Sequence, residues 1–208
     1  MTGRPNPGRR SELLEQILGY LETNALSSIS MRRLAQALGV STFTLTYQFN
    51  SQEELMTAIR GAAGERLKAL AGVLETAPKS VFAYAEGVRR FWTLAQTAEY
   101  STCIRVEMEE SMLRVLGPEA ANPCGRAWHQ WRSRLVDAMV SLGVQPSVAV
   151  IEAEVSLAST FGLLYAAISS PGENFAASFD YALSAHAERV LELVGASAEP
   201  SELSNLIG

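Results

Sequence analysis

The chain has 208 residues, 48% hydrophobic and 19% charged, which is enough apolar material for a substantial core in one or two domains. Its net charge of −5 argues against a uniformly basic nucleic-acid coat, and two cysteines, Cys103 and Cys124, exclude a dense disulfide framework and suit a reducing cytoplasm. Few runs alternate β-branched with polar residues, so the pattern points to an all-α protein of about nine helices. The longest apolar stretch, Val155 to Ile168, is too short and too interrupted by Ser and Thr to span a bilayer. Residues 1 to 8 lack an apolar signal segment, and the expectation is a cytoplasmic protein with no membrane role.

In chain order, residues 1–8 read as a flexible Gly- and Pro-rich arm, followed by a helix from Ser11 to Thr23 with Leu14, Ile17, Leu18 and Leu21 inward. Then comes Ser-Ile-Ser-Met-Arg-Arg-Leu-Ala-Gln-Ala-Leu-Gly-Val-Ser-Thr-Phe-Thr-Leu-Thr-Tyr-Gln-Phe-Asn-Ser-Gln-Glu-Glu-Leu, from Ser28 to Leu55. Leu34, Ala35 and Leu38 recur at helical spacing, and Gly39 can take the left-handed conformation that ends the helix. Ser41 is placed to cap a second helix whose Leu45 and Phe49, four residues apart, face inward. Ser51 and Glu54 form a capping box for a third. Two short helices joined by Gly-Val-Ser make the sequence pattern of a helix-turn-helix DNA reader.

Leu34, Ala35, Leu38, Gly39, Val40, Ser41, Thr44, Leu45, Phe49 and Leu55 resemble the amino-terminal pattern of the TetR family of transcriptional regulators. Thr46 stands where that family usually has Tyr, Gln48 where it often has His, and Gln52 where it has Lys. The resemblance implies a homodimeric repressor in which a small molecule, bound in a helical body, lowers affinity for a palindromic double-stranded operator. No cofactor and no metal are expected.

For base reading the candidates are Thr42, Phe43, Thr44, Thr46, Tyr47 and Gln48, approached by Ser30, Met31 and Arg32 from the preceding helix start. Gln48 suits bidentate pairing with adenine, threonine methyls suit thymine, and the Tyr47 hydroxyl suits phosphate. Ser51 and Gln52, at a helix start, are candidates for a phosphate, and Arg9 and Arg10 for a backbone or minor-groove contact. Packing within the domain is the alternative for Phe43 and Tyr47. From Met1 to Asn50 there are 5 Arg against 3 Glu, or +2, and the remainder carries −7, so the amino-terminal end should lead any approach to phosphate.

Further helices are expected at 51–76, 80–97, 100–116, 125–142, 147–169 and 175–194, with breaks at Gly117-Pro118, Asn122-Pro123, Gly143 to Pro146 and Pro171-Gly172. This gives an arm at 1–8, a reader at 9–56 with a linking helix at 51–76, a ligand-binding and dimerisation region at 77–195, and a loose tail at 196–208. Val148 to Ile168 is apolar on nearly every side, so something must cover more than one face. Leu157, Phe161, Leu164, Phe179, Leu183, His186 and Val190 are the candidate dimer surface, with an intrachain core as the alternative. Phe91, Trp92, Met108, Met112, Trp128, Trp131, Phe161 and Tyr165 are candidates for a pocket that takes a hydrophobic or aromatic effector. Such residues more often build a core. Gly61, Gly64 and Gly72 in the linking helix suggest close packing against a neighbour.

An enzymatic reading finds little in the sequence. His129 and His186 are the only histidines, Glu-x-x-His spacing is absent, and Glu107, Glu109 and Glu110 read as a solvated face. A protein-interaction module with a diverged reader is a further alternative.

Overall fold

Proline at position 7, lacking an N–H that a first helical turn would leave unpaired, opens α1 (Pro7–Leu21). The structure, a computed structural model, describes residues 7–115, 126–170 and 172–195. Among them the chain forms nine α-helices and no strand, as the hydrophobic periodicity predicted. After α1 and a short 3-10 turn (Leu26–Ser28) come α2 (Met31–Ala37), α3 (Thr42–Phe49), α4 (Gln52–Ala71), α5 (Val81–Ala95), α6 (Ala98–Val115), α7 (Arg126–Ser141), α8 (Pro146–Ser169) and α9 (Ala176–Val194). Two boundaries differ materially from expectation. Helix α1 begins inside the expected arm, which places Arg9 and Arg10 on a helix. Helix α4 stops at Ala71 instead of 76, because the Gly72 N–H is shared between the Lys68 and Ala69 carbonyls and the next two amides bond three residues back, tightening the last turn. Cys124, the breaks at 117–118 and 122–123, and the tail from 196 lie outside the described residues.

Contacts divide the chain into two compact units, residues 1–67 with 98–125, and residues 68–97 with 126–208. This differs from a single cut at residue 77 because α6 packs against α1. In the first unit the inner face of α1 is Leu13, Ile17, Leu18 and Leu21, with Leu13 in the place expected for Leu14, which is half-buried. Adjacent leucines are one helical step apart, so period alone does not choose between them. Arg105 of α6 holds the end of α1: its guanidinium donates to the Leu21 and Asn24 carbonyls and to Glu109, whose other oxygen accepts the Leu26 N–H at 2.8 Å. Arg60 donates to Glu110 at 2.8 Å, tying α4 to α6. Cys103 is fully buried, and burial raises its thiol above the ordinary range, as for a small core hydrophobe.

In the second unit α7, α8, α9 and α5 share an aromatic core. Phe91 meets Trp131 edge-on at 4.7 Å, Trp131 and Trp128 both meet Phe161, and Trp92 stacks on Phe179 at 4.4 Å. Five of the residues expected to line an effector pocket stand in or beside this cluster. Phe91, Trp92 and Trp131 are buried among one another, Trp128 and Phe161 pack at the edge of the cluster, and Tyr165 is 61% exposed. Met108 and Met112 belong to α6 in the other unit, Met112 pointing outward. Bulky apolar groups at helical spacing filled space here, since close packing leaves few voids.

The expected dimer surface is corrected. Leu157, Leu164, Phe179, Leu183, His186 and Val190 are all buried within the single chain, and Phe161 is half-buried. The uncovered side of α8 is instead Ile151, Val155, Ala158, Gly162 and Tyr165, spaced by four, three, four and three, with Ile151, Val155 and Tyr165 about 60% exposed. With apolar residues all round α8, periodicity cannot show which stripe the chain itself covers. By length and composition alone α8, 24 residues long, could cross a membrane. Its two carboxylates are nevertheless ion-paired, Glu154 with Arg132 at 2.5 Å and Glu152 with Arg189 at 3.2 Å.

Candidate nucleic-acid interface

Ser30 begins α2 in extended geometry, its hydroxyl accepting the Arg33 N–H at 3.2 Å. Leu34 and Ala35 face inward, and the chain leaves the helix through Gly39 at φ +65°, where a side chain would be strained. The Val40 N–H then closes on the Ala35 carbonyl at 3.0 Å. Ser41 starts α3 at once: its hydroxyl accepts the Thr44 N–H at 3.0 Å and lies 2.8 Å from the Thr44 hydroxyl. Leu45 and Phe49 are fully buried, which fixes the rotation of α3 about its axis. At the far end Asn50 sits at φ +58° and ψ −57°, a strained γ-turn closed by the Ser51 N–H on the Phe49 carbonyl at 2.6 Å. Its side-chain amide donates to Glu54 at 2.8 Å, while Ser51 accepts the Glu54 N–H at 3.1 Å. The expected capping box is thus half-formed, with Glu54 reaching the Asn50 side chain.

That rotation brings Thr42, Phe43, Thr46 and Tyr47 together on the open side of α3. Phe43 is 75% exposed and stacks on Tyr47, their ring centroids 6.2 Å apart and their planes 22° apart. An aromatic pair four residues apart on a helix is the signal that could have revealed this ledge in advance. Arg32 and Ser51 are exposed, and Ser30 and Met31 half-buried.

Five expected contacts have other partners or positions. Gln48 turns inward and is 7% exposed, because it follows Leu45 by three residues and shares its face; its Oε1 is buried with no hydrogen-bond partner. Gln52 uses both ends of its amide internally, Oε1 accepting the Met31 N–H at 3.1 Å and Nε2 donating to the Ile29 carbonyl at 3.0 Å. It joins the start of α4 to the start of α2, a role that a lysine, with no acceptor, cannot fill. Thr44 is half-buried with its hydroxyl beside Ser41. Arg10 lays its guanidinium 5.3 Å from the Phe49 ring centre, and Arg9 pairs with Glu12 at 3.0 Å.

The second unit holds a pocket of ≈ 300 Å³ lined by α5, α8 and α9, with Val88, Val155, Thr160, Phe179, Leu183 and His186 on its walls. None of the expected effector residues lines it. The His186 Nε2 lies 2.8 Å from the Tyr84 hydroxyl and Nδ1 lies 3.9 Å from Glu152. Burial pushes the His186 imidazole down to about 4, against the opposing pull of Glu152, so the ring is neutral at ordinary pH. Burial, reinforced by the Glu152 charge, holds the Tyr84 phenol protonated well beyond its usual range.

No family model matches the chain, and no curated protein does. Solved structures do. A transcriptional regulator from Rhodococcus sp. RHA1 superposes with a TM-score of 0.67 at 20% identity, covering 92% of this chain and 99% of its own. AmtR of Mycobacterium smegmatis superposes at 0.57 with 17% identity, covering 98% of this chain and 95% of its own. The TetR family repressor AlkX of Dietzia sp. strain DQ12-45-1b reaches 0.48 at 21% identity, over 92% of this chain and 99% of its own. The likeness rests on the first two, and the chain has the fold of those proteins.

Proposed function

We propose that this chain is a sequence-specific, DNA-binding transcriptional regulator of the TetR type, acting as a homodimeric repressor. The open face of α3 carries the proposal: a capped, rotationally fixed helix presents two threonines and a stacked aromatic pair outward, behind a helix start with an exposed Arg32. A single eight-residue helix reads only a few base pairs, so two copies about a two-fold axis are needed for a selective site. The uncovered stripe of α8, with exposed Tyr181 and Ala185 on α9, supplies a surface for the second copy, its Ala158 and Gly162 permitting close helix approach.

The effector reading rests on the second unit. A hydrophobic or aromatic small molecule fits an apolar pocket with a few polar groups, and it lowers operator affinity only by preferring the conformer with mismatched reader spacing. Val155 belongs both to the pocket and to the outward stripe, so ligand and second copy would meet there.

The test is selection of the full chain on random duplex DNA, with molar mass measured by light scattering. An enriched palindrome whose half-sites lie about 34 Å apart, or a multiple of that, together with a mass of two chains, is the expected result. No enrichment sinks the regulator reading, and a one-chain mass sinks the dimer.

A further inference from the structure

The open face of α3 holds neither of the side-chain types that read guanine or adenine by paired hydrogen bonds. Gln48, the one amide in the helix, faces inward at 7% exposure, and α3 has no Arg or Lys. Gln52, next along the chain, spends its amide on Met31 and Ile29. What remains outward is a phenyl ring, a phenol ring and the methyl groups of Thr42 and Thr46, side by side because three- and four-residue steps share a helix face. Phe43 is the most exposed of these large groups at 75%, yet it is braced by its stacking on Tyr47. An exposed but braced apolar ring at the first turn of a reading helix calls for an apolar partner. The major groove presents one such group, the C5-methyl of thymine.

We infer that Phe43 reads thymine through its C5-methyl group, and that methyl contact carries most of the base preference of α3. The inference rests on the proposed DNA-reading function. Thr42 and Thr46 extend the apolar strip on the same face.

The test uses the full chain and the duplex enriched by selection, with each thymine replaced singly by deoxyuridine, which keeps base pairing and removes only the methyl. Burying one such carbon is worth ~0.8 kcal/mol, about fourfold in affinity, so at least one thymine per half-site should lose about fourfold on replacement. Phe43→Ala should bind the thymine and uracil duplexes alike at that position, with helicity unchanged by circular dichroism. Phe43→Leu, still apolar, should retain a preference for thymine. An enriched palindrome on which uracil equals thymine at every position overturns this inference alone, as does a Phe43→Ala protein that keeps the native preference. Failure to enrich any duplex overturns the regulator reading with it, and leaves the Phe43 and Tyr47 ledge as a surface for a protein partner.

Discussion

Helices α3 and α8 both leave apolar groups uncovered, but the chain arrives at the two surfaces differently. Helix α3 has eight residues, a side-chain cap at Ser41 and two fully buried anchors, so its orientation is determined locally. Helix α8 has 24 residues, no side-chain cap, and apolar residues on every side, and its orientation is determined by α7 and α9. The exposed groups of α3 are aromatic rings and threonines, suited to a groove of mixed polarity. Those of α8 are Ile151, Val155 and Tyr165, a heptad-spaced seam suited to another helix. Ends and anchors make a reading surface, whereas a seam needs a matching seam.

The sharpest way to break this comparison is to substitute the two sides of α8. Leu157→Ala, at 2% exposure in the chain's own core, should cost about 2–5 kcal/mol in denaturant unfolding. Ile151→Asp, six residues earlier on the same helix and 60% exposed, should leave far-ultraviolet helicity intact and halve the mass seen by light scattering. A variant at Ile151 that unfolds the chain, or leaves a dimer untouched, places the seam elsewhere.

His186 offers the next largest effect. Its folded value near 4 lies below the ordinary 6.5, so the native state binds fewer protons than the unfolded chain between those limits. Stability is then fully present above pH 6.5 and falls as pH drops toward 4, by about 3 kcal/mol at 1.36 kcal/mol per unit. The groups facing the ring are Tyr84 from α5, Glu152 from α8 and Arg189 beyond it on α9. His186→Gln keeps a hydrogen-bonding side chain without titrating in this range, and should flatten the slope of unfolding free energy against pH. An unchanged slope assigns the acid sensitivity to other groups.

The same contrast explains what was legible beforehand. Gly39, Ser41, Leu45 and Phe49 act through nearest neighbours, and the structure places each as its residue type predicts. Gln48 has chemistry that suggests a base contact, while its position, three residues beyond Leu45, turns it inward. Gln52 pairs with Met31 and Ile29 more than twenty residues away, beyond the reach of local pattern. In α8 the inward stripe of Ala149, Ala153, Leu157, Thr160 and Leu164 is no more apolar than the outward one, so hydrophobicity held no preference and tertiary contact decided.

In the reader, two adjacent residues should part company. Tyr47→Ala removes the half-exposed ring that braces Phe43 and should weaken binding to the selected duplex by about 0.5–1.5 kcal/mol per subunit, the worth of an aromatic pair. Gln48→Leu removes a buried, unpartnered carbonyl and should leave operator preference as it is, with stability equal or raised by about 1 kcal/mol. Gel-shift titrations beside urea unfolding check both. A loss of affinity in Gln48→Leu with full stability would return that residue to the reading face.

The smallest effects lie in α4. Gly61 and Gly64 were expected to allow close packing, yet a methyl group at either would meet nothing within 4 Å and both positions are exposed. Only at Gly72, beyond the helix end, would it press on a backbone carbonyl, that of Ala69 at 3.0 Å. Packing therefore does not account for Gly61 and Gly64, and each should yield up to about 1 kcal/mol of stability on replacement by alanine. Measured together, Gly61→Ala and Gly64→Ala should raise the melting temperature and leave affinity for the selected duplex unchanged if α4 is a passive strut. A variant that gains stability but loses operator affinity would mean that α4 must bend for the two readers to reach their spacing. That result would give the glycines a mechanical role in place of the packing role they lack.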